Sequence, residues 1–329
     1  MFYNFNDHTT DMNREALAAL NIFAARYDAI AHYHLRSESP EIILGEGLYM
    51  CRFCGRGAGE TTFKKIAHAI PHATGNRWLF SHYECDECNT HFGRILENQF
   101  GNFMHLHHTL SHIKGKKGAS KFIQANEGIS IVNDGKLIDW QGVPQEDINY
   151  DQAGGLLTVK QRMPGFIPVA VYKTLVKIAL TIMPEPELQH FRETITWLNE
   201  KSHEETSFKF ESLWMIFGSF ENNISWDQLS VVLSKRKLED NLNLPYMLFN
   251  LSYANFDFQL PVPLCSLDKP KTFNYQSITY LPHLCDLKYG LGKLKLNAMT
   301  LHGRETVRGE TMTIIVKDLD GTGTVQHLE

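Results

Sequence analysis

Apolar positions recur along this chain with two different periods, and the changes of period mark out its elements. Between 11 and 35, Leu17, Leu20, Phe23, Ala24, Tyr27 and Ile30 approximate one stripe of a helix, with Asp11 as its cap. Residues 37–40 read as a linker. The stretches 61–71 and 78–83 suit two strands joined through the turn residues Gly75 and Asn76. A helix is predicted from 85 to about 100, with Phe92, Ile95, Leu96 and Gln99 along one side. Short runs at 121–124, 128–132 and 136–140 predict strands, the last two joined by the hairpin turn Asn133-Asp134-Gly135. Pro168 opens an amphipathic helix carrying Val169, Tyr172, Val176, Ala179, Leu180 and Met183 on one face, closed by Pro184 and Pro186. A second helix carries Leu188, Phe191, Ile195 and Leu198. Beyond it, 208–220, 246–258, 272–280, 293–299 and 311–316 read as strands, interrupted by a short helix at 226–234. The expected class is α+β: an N-terminal module, a helical pair, then a mainly antiparallel sheet or small barrel.

At 329 residues the chain is long enough for more than one core. The expected division is an N-terminal helix (1–40), a cysteine- and histidine-rich module (41–121) and an α+β domain (122–329). A hydrophobic content of 43 % fits an ordered protein, and a net charge of −5 gives no overall attraction to nucleic acid. Any such function must rest on a local patch. The longest apolar stretch, 169–183, is interrupted by Lys173 and Lys177 and is too short to span a bilayer, so no membrane partner is expected. The first residues hold no basic region followed by an apolar run, and Cys265 and Cys285 read as isolated buried thiols. A reducing, cytoplasmic setting is the expectation. A homo-oligomer is compatible with the sequence.

The candidate chemistry lies between two knuckles, Cys51-x2-Cys54 and Cys85-x2-Cys88. Two such turns supply four soft thiolates to one tetrahedral Zn2+, and four thiolates leave no coordination position for substrate. The zinc is therefore expected to be structural. Strand, loop, strand and helix stapled in this way make a ββα-metal arrangement. The segment "AHAIP" places His68 just before an isoleucine-proline pair, and "CDECN" places Asn89 directly after the last cysteine. Over about 51–121 the chain resembles the HNH endonuclease family, in particular its zinc-stapled branch. That resemblance implies a phosphodiesterase in which His68 is the general base, Asn89 a ligand of a catalytic Mg2+ or Mn2+, and Asn76 the loop residue that orients the base. Many family members carry an acidic metal ligand immediately before the base, where this chain has Ala67. His91, His72, Glu84 and Asp86 are the candidates to replace it. His91, two residues beyond Asn89, points about 200° away on a regular helix.

From 98 to 126 there is no acidic residue. Lys114, Lys116, Lys117 and Lys121 lie there on a glycine-flexed loop suited to phosphates, which makes DNA the expected partner. His105, His107, His108 and His112 match no metal spacing and are expected to pack. No chemistry is legible after about 150, and by family analogy that part regulates or targets a defence-type nuclease. The alternatives are a non-catalytic zinc ribbon that binds nucleic acid and a zinc-stabilised interaction scaffold.

Overall fold

A computed structural model describes residues 14–116, 118–135, 138–151, 156–220, 228–237, 243–269, 273–282, 294–309, 311–317 and 324–328. Asp11, Lys117, Trp226 and Cys285 lie outside the described residues. Helix α1 (Arg14–Arg26) buries Ala16 and Phe23 and passes directly into strand β1 (Tyr27–Arg36). The helix predicted to 35 therefore stops at Arg26. Residues 27–36 find an antiparallel partner two hundred positions away, paired from Tyr27↔Arg236 to Arg36↔Gln228 with a register shift between Ala29 and Ala31. Long-range pairing of an aromatic- and isoleucine-bearing segment outweighs its helical spacing.

Three short strands follow, β2 (Ile42–Leu44), β3 (Ala67–His68) and β4 (Leu79–Ser81), ordered β2-β4-β3. The strands expected at 61–71 and 78–83 are thus much shorter. Asp86 holds residues 62–65 in a turn by accepting from Thr62 Oγ1 and from the amides of Lys64 and Lys65. Helix α2 (Asp86–Phe92), a π-turn (Gly93–Glu97) and α3 (Asn98–Leu110) run on continuously. Hairpin β5 (Lys114–Gly115) and β6 (Gly118–Ala119) precedes the meander β7 (Lys121–Gln124), β8 (Ile129–Asn133) and β9 (Ile138–Gln141), close to the predicted runs. The next strands, β10 (Ile148–Asp151) and β11 (Leu156–Arg162), had no counterpart in the sequence reading.

Helix α4 (Pro168–Ile182) begins at the expected proline, and α5 (Glu185–Leu188) and α6 (Arg192–Leu198) form the second helical stretch. Every residue of α4 is buried, Lys173 and Lys177 included, so it is a central helix rather than a surface one. Then come β12 (Trp214–Phe220), β13 (Gln228–Arg236), β14 (Met247–Tyr253), β15 (Phe256–Pro261), β16 (Leu294–Thr300), β17 (Thr311–Lys317) and β18 (Thr324–Leu328). The helix expected at 226–234 is replaced by β13. This strand is covered on both faces, so its apolar run Val231-Val232-Leu233 does not alternate, and so short a run cannot be told from a helix by periodicity. The strand expected at 246–258 is two strands, reversed at Ala254 (φ 48°). The strand expected at 272–280 is absent from its described part. There Asn274 accepts from Ser277 N and starts a single helical turn.

The result is α+β: an antiparallel six-stranded sheet, β1-β13-β14-β15-β12-β16, beside a four-stranded sheet, β10-β11-β17-β18. One buried apolar cluster runs from Cys51, Phe53, Ile70 and Leu79, through Val176 and Leu180, to Leu233, Phe249 and Phe258. The first cysteine knuckle is fastened to the helical layer by name. Arg52 lies over the Tyr83 ring at 3.6 Å and donates to the carbonyls of Leu180, Thr181 and Met183, while Asn199 donates to Phe53 O. Arg52 thereby caps the C-terminus of α4 with charge of the favourable sign. No helix among the described residues is long and apolar enough to cross a membrane.

Candidate active site and zinc centre

The two knuckles meet as the spacing requires. In the first, Gly55 N bonds Cys51 O, and Cys51 N bonds Arg56 O, closing a turn whose Gly55 has φ 72°. A β-carbon at that angle would be strained, which explains the glycine. In the second, Cys85 caps α2 and Cys88 follows in its first turn. The four sulfurs lie within 4.8 Å of one another, and none is in a disulfide. Tetrahedral zinc with Zn–S bonds of about 2.3 Å sets sulfurs about 3.8 Å apart. Cys54 Sγ and Cys85 Sγ stand at 3.8 Å. The residues fit zinc. Arg56 donates to Cys54 Sγ at 3.4 Å and is held by Glu87 at 2.6 Å, so the thiolate charge has an outer partner.

Within this clamp, His68 ends β3 opposite Phe80 on β4. Its ring stands 4.8 Å from Phe80 and 5.0 Å, edge to face, from His72. Burial first, and then the neighbouring His72, push the His68 pKa down to about 4. The imidazole is therefore neutral across the physiological range, with a buried Nδ1 that has no partner among the described residues.

Asn76 is fully buried, and its side chain is used up on the backbone. Nδ2 donates to Ile70 O and Leu79 O, and Oδ1 accepts from Trp78 N and Leu79 N. It acts on the strands that carry and face His68 rather than on the imidazole. Removing it leaves several buried backbone groups unsatisfied. Asn76→Ala is expected to cost about 3 kcal/mol in denaturant-induced unfolding.

The other expected residues divide. Asn89 is half-buried on α2, with no side-chain hydrogen bond among the described residues. Asp86 is committed to Thr62 and the turn amides, as described above. His91 lies among Arg94, Lys173 and Lys201, none of which is among the charges acting on His68, so its neighbourhood is a different one. Glu84 is fully buried and faces Lys177 of α4 at 2.8 Å. The histidine cluster packs: His105 bonds Lys121 O, His108 bonds Tyr253 OH, His112 bonds Asn133 O, and His107 lies against Phe217 and Phe256.

Lys114, Lys116 and Lys121 are exposed. Hairpin β5–β6 leans on the 3-10 helical turn His72–Thr74, where Gly115 comes near Ala73, and the Lys116 charge reaches both His68 and His72. Glu97 and Lys177 also act on His68, the first raising and the second lowering its pKa. Sequence reading missed both. Glu97 is exposed to view only through the π-turn that ends with it, and Lys177 comes from a helix outside the cysteine module. A π-turn inside a helix is a recognised mark of functional sites, but nothing in the spacing of residues 93–97 announces one.

The divalent cation implied at His68 does not fit the residues present. Ala67 supplies no donor. Among the described residues the four cysteines are the only group of three or more His, Cys, Asp or Glu ligand atoms gathered closely enough to hold an ion. Glu84 and Glu97 are instead joined to an ammonium, Lys177 Nζ, at 2.8 and 3.3 Å. Burial works against that charge, but Glu84 and Glu97 outweigh it and hold the lysine above its ordinary pKa.

Comparison with known proteins agrees with this geometry in kind. Residues 51–105 match the family model of the HNH endonucleases, covering both knuckles, the histidine strand, α2 and the start of α3. No curated protein and no solved structure matches the chain.

Proposed function

We propose that this chain is a nuclease that hydrolyses phosphodiester bonds in DNA, with His68 as the general base. The observation that supports it most is a neutral, partly buried imidazole inside an HNH-matching, cysteine-clamped hairpin, with an exposed lysine in electrostatic reach. His68 would take the proton of the attacking water. Its unprotonated state at neutral pH suits that role, although a pKa near 4 makes it a weaker base than an ordinary histidine. Lys116, and Lys114 beside it on the hairpin, would hold the phosphate, with Lys121 further along the same basic segment. Asn89 is the remaining oxygen donor for the Mg2+ or Mn2+ that the family implies. With Ala67 in place of the acid, the hydrolytic step is carried by the chain's own groups.

Nicking of supercoiled plasmid tests the proposal. Activity is expected in the wild type and lost in His68→Ala, with zinc content unchanged. A second reading, a zinc ribbon that binds DNA without cutting it, is favoured by Ala67 alone. It wins if both proteins bind DNA equally and neither nicks it. On either reading Lys116 touches phosphate. Lys116→Gln is expected to weaken DNA binding at low salt and to flatten the salt dependence by about 0.9 log units per decade, for one lost contact. Fluorescence anisotropy against a salt series measures this.

A further inference from the structure

The ion pairs behind His68 assign the missing cation. We propose that the Lys177 ammonium takes the cationic place of this site permanently, so that the native chain binds no divalent ion between Glu84, Glu97 and His68. The inference deepens the nuclease reading and rests on it only for its bearing on cleavage.

Three observations carry it. Lys177 and Glu84 have side-chain exposures of 0 %, and Glu97 of 24 %, so the triad is sealed within the protein on the α4 side. The ammonium faces both carboxylates, at 2.8 and 3.3 Å, so the negative charge that a hard cation would draw on is already paired. Lastly, Ala67 and Lys177 act on the charge around the base in the same sense. The first offers no negative ligand beside the base, and the second is one of the positive charges that act on it. A divalent ion entering here would meet an ammonium already in contact with both carboxylates, a repulsion magnified by burial. Lys177 is too deeply buried to touch substrate. It is a positioning residue, one that fixes Glu97 at the end of the π-turn and fixes the charge around His68.

The test uses the zinc-loaded full chain and Mn2+ as the probe, read by loss of the free-ion signal in electron paramagnetic resonance. The wild type is expected to show no Mn2+ site tighter than millimolar. Lys177→Met removes the charge while keeping a similar volume, and is expected to gain a site at least about tenfold tighter, since two carboxylates are then left without a counter-charge. Adding Glu97→Gln to that variant should abolish the gain. A micromolar Mn2+ site in the wild type that Glu97→Gln or His68→Ala removes would overturn the proposal, as would a folded Lys177→Met chain that gains nothing. If Lys177→Met does not fold, the wild-type titration decides by itself.

Plasmid nicking, assayed beside the titration, separates the two readings. Nicking without added divalent ion, and without Mn2+ binding, supports both. Nicking that requires Mg2+ or Mn2+ bound at this place leaves the nuclease standing and removes the ammonium proposal. No nicking under any condition, with Mn2+ bound by Lys177→Met alone, does the reverse.

Discussion

Zinc removal is expected to unfold the first third of the chain and to destabilise the rest. The four thiolates close a segment whose own regular structure is slight: strands of two and three residues and a seven-residue helix. Structural zinc contributes about 10–16 kcal/mol in small domains, which is as large as the whole stability of many folded proteins, about 5–15 kcal/mol. No other interaction in the segment approaches that. The loss would not stay local, because Cys51, Phe53, Ile70 and Leu79 belong to the same buried cluster as α4 and the central sheet. Arg52 would also release the three carbonyls at the end of α4. A strong chelator, or Cys85→Ser, should therefore lower the melting temperature of the whole chain and abolish separate melting of the module. Metal analysis should find one zinc per chain before treatment. Thiol titration should count four newly reactive cysteines afterwards. Full stability of the chelated protein, with those thiols reactive, would dispose of the clamp.

Much of this site could be read from residue order because its parts lie close together in sequence. Knuckle spacing, the histidine before Ile70-Pro71 and the asparagine after Cys88 are local patterns, and local patterns survive without knowledge of the fold. The meander at β7–β9 was legible for the same reason, with alternating residues and Asn133 donating to Leu110 O while its Oδ1 accepts from Gly135 N at the turn. What escaped is what long-range packing decides. Residues 27–36 have helical spacing, but β13 requires a partner along that edge. Across 228–236 both faces of β13 are covered, so polar and apolar residues alike are buried, and the run Val231-Val232-Leu233 carries no period of two to read. Lys177 is the clearest case. On an amphipathic helix a lysine is expected on the wet face, and the pattern offered no reason to bury it. The reason is Glu84, over ninety positions earlier, whose carboxylate would otherwise sit uncompensated in the core.

Because Glu84 directly precedes Cys85, the four-cysteine cluster and the ion triad are mechanically joined. The last residue before the second knuckle is fastened to α4, and α4 is fastened through Arg52 to the first. His68 lies between these attachments, on a strand whose position Asn76 fixes from the other side. A general base of the kind proposed, held in this way, would need no rearrangement to face a substrate. It also explains why so short a strand can carry it, since the geometry comes from tethers on either side rather than from the ladder.

The second large effect concerns that histidine. His68→Ala should reduce plasmid nicking by about 10²–10⁴-fold, the range that a lost general base removes, while Asn76→Gln lowers stability more than rate. The pH profile distinguishes this environment from an ordinary histidine. A base must be unprotonated, and the folded-state pKa is depressed to about 4 by burial and by His72. Cleavage should therefore stay level from about pH 8 down to pH 5 and fall only as pH drops through about 4, whereas an unperturbed imidazole would already be half protonated near 6.5. Stability follows the same sign. The unfolded chain takes up the proton at the higher pH, so the contribution of a neutral His68 is complete above about 6.5 and is lost as pH falls towards 4. His108, fully buried with its pKa lowered to about 3, adds acid sensitivity in the same direction. His68→Gln should accordingly reduce the acid slope without abolishing it. Nicking with a half-point near 6.5 would mean that His68 is solvated and charged like a surface residue, and the depressed pKa on which the base assignment leans would be wrong.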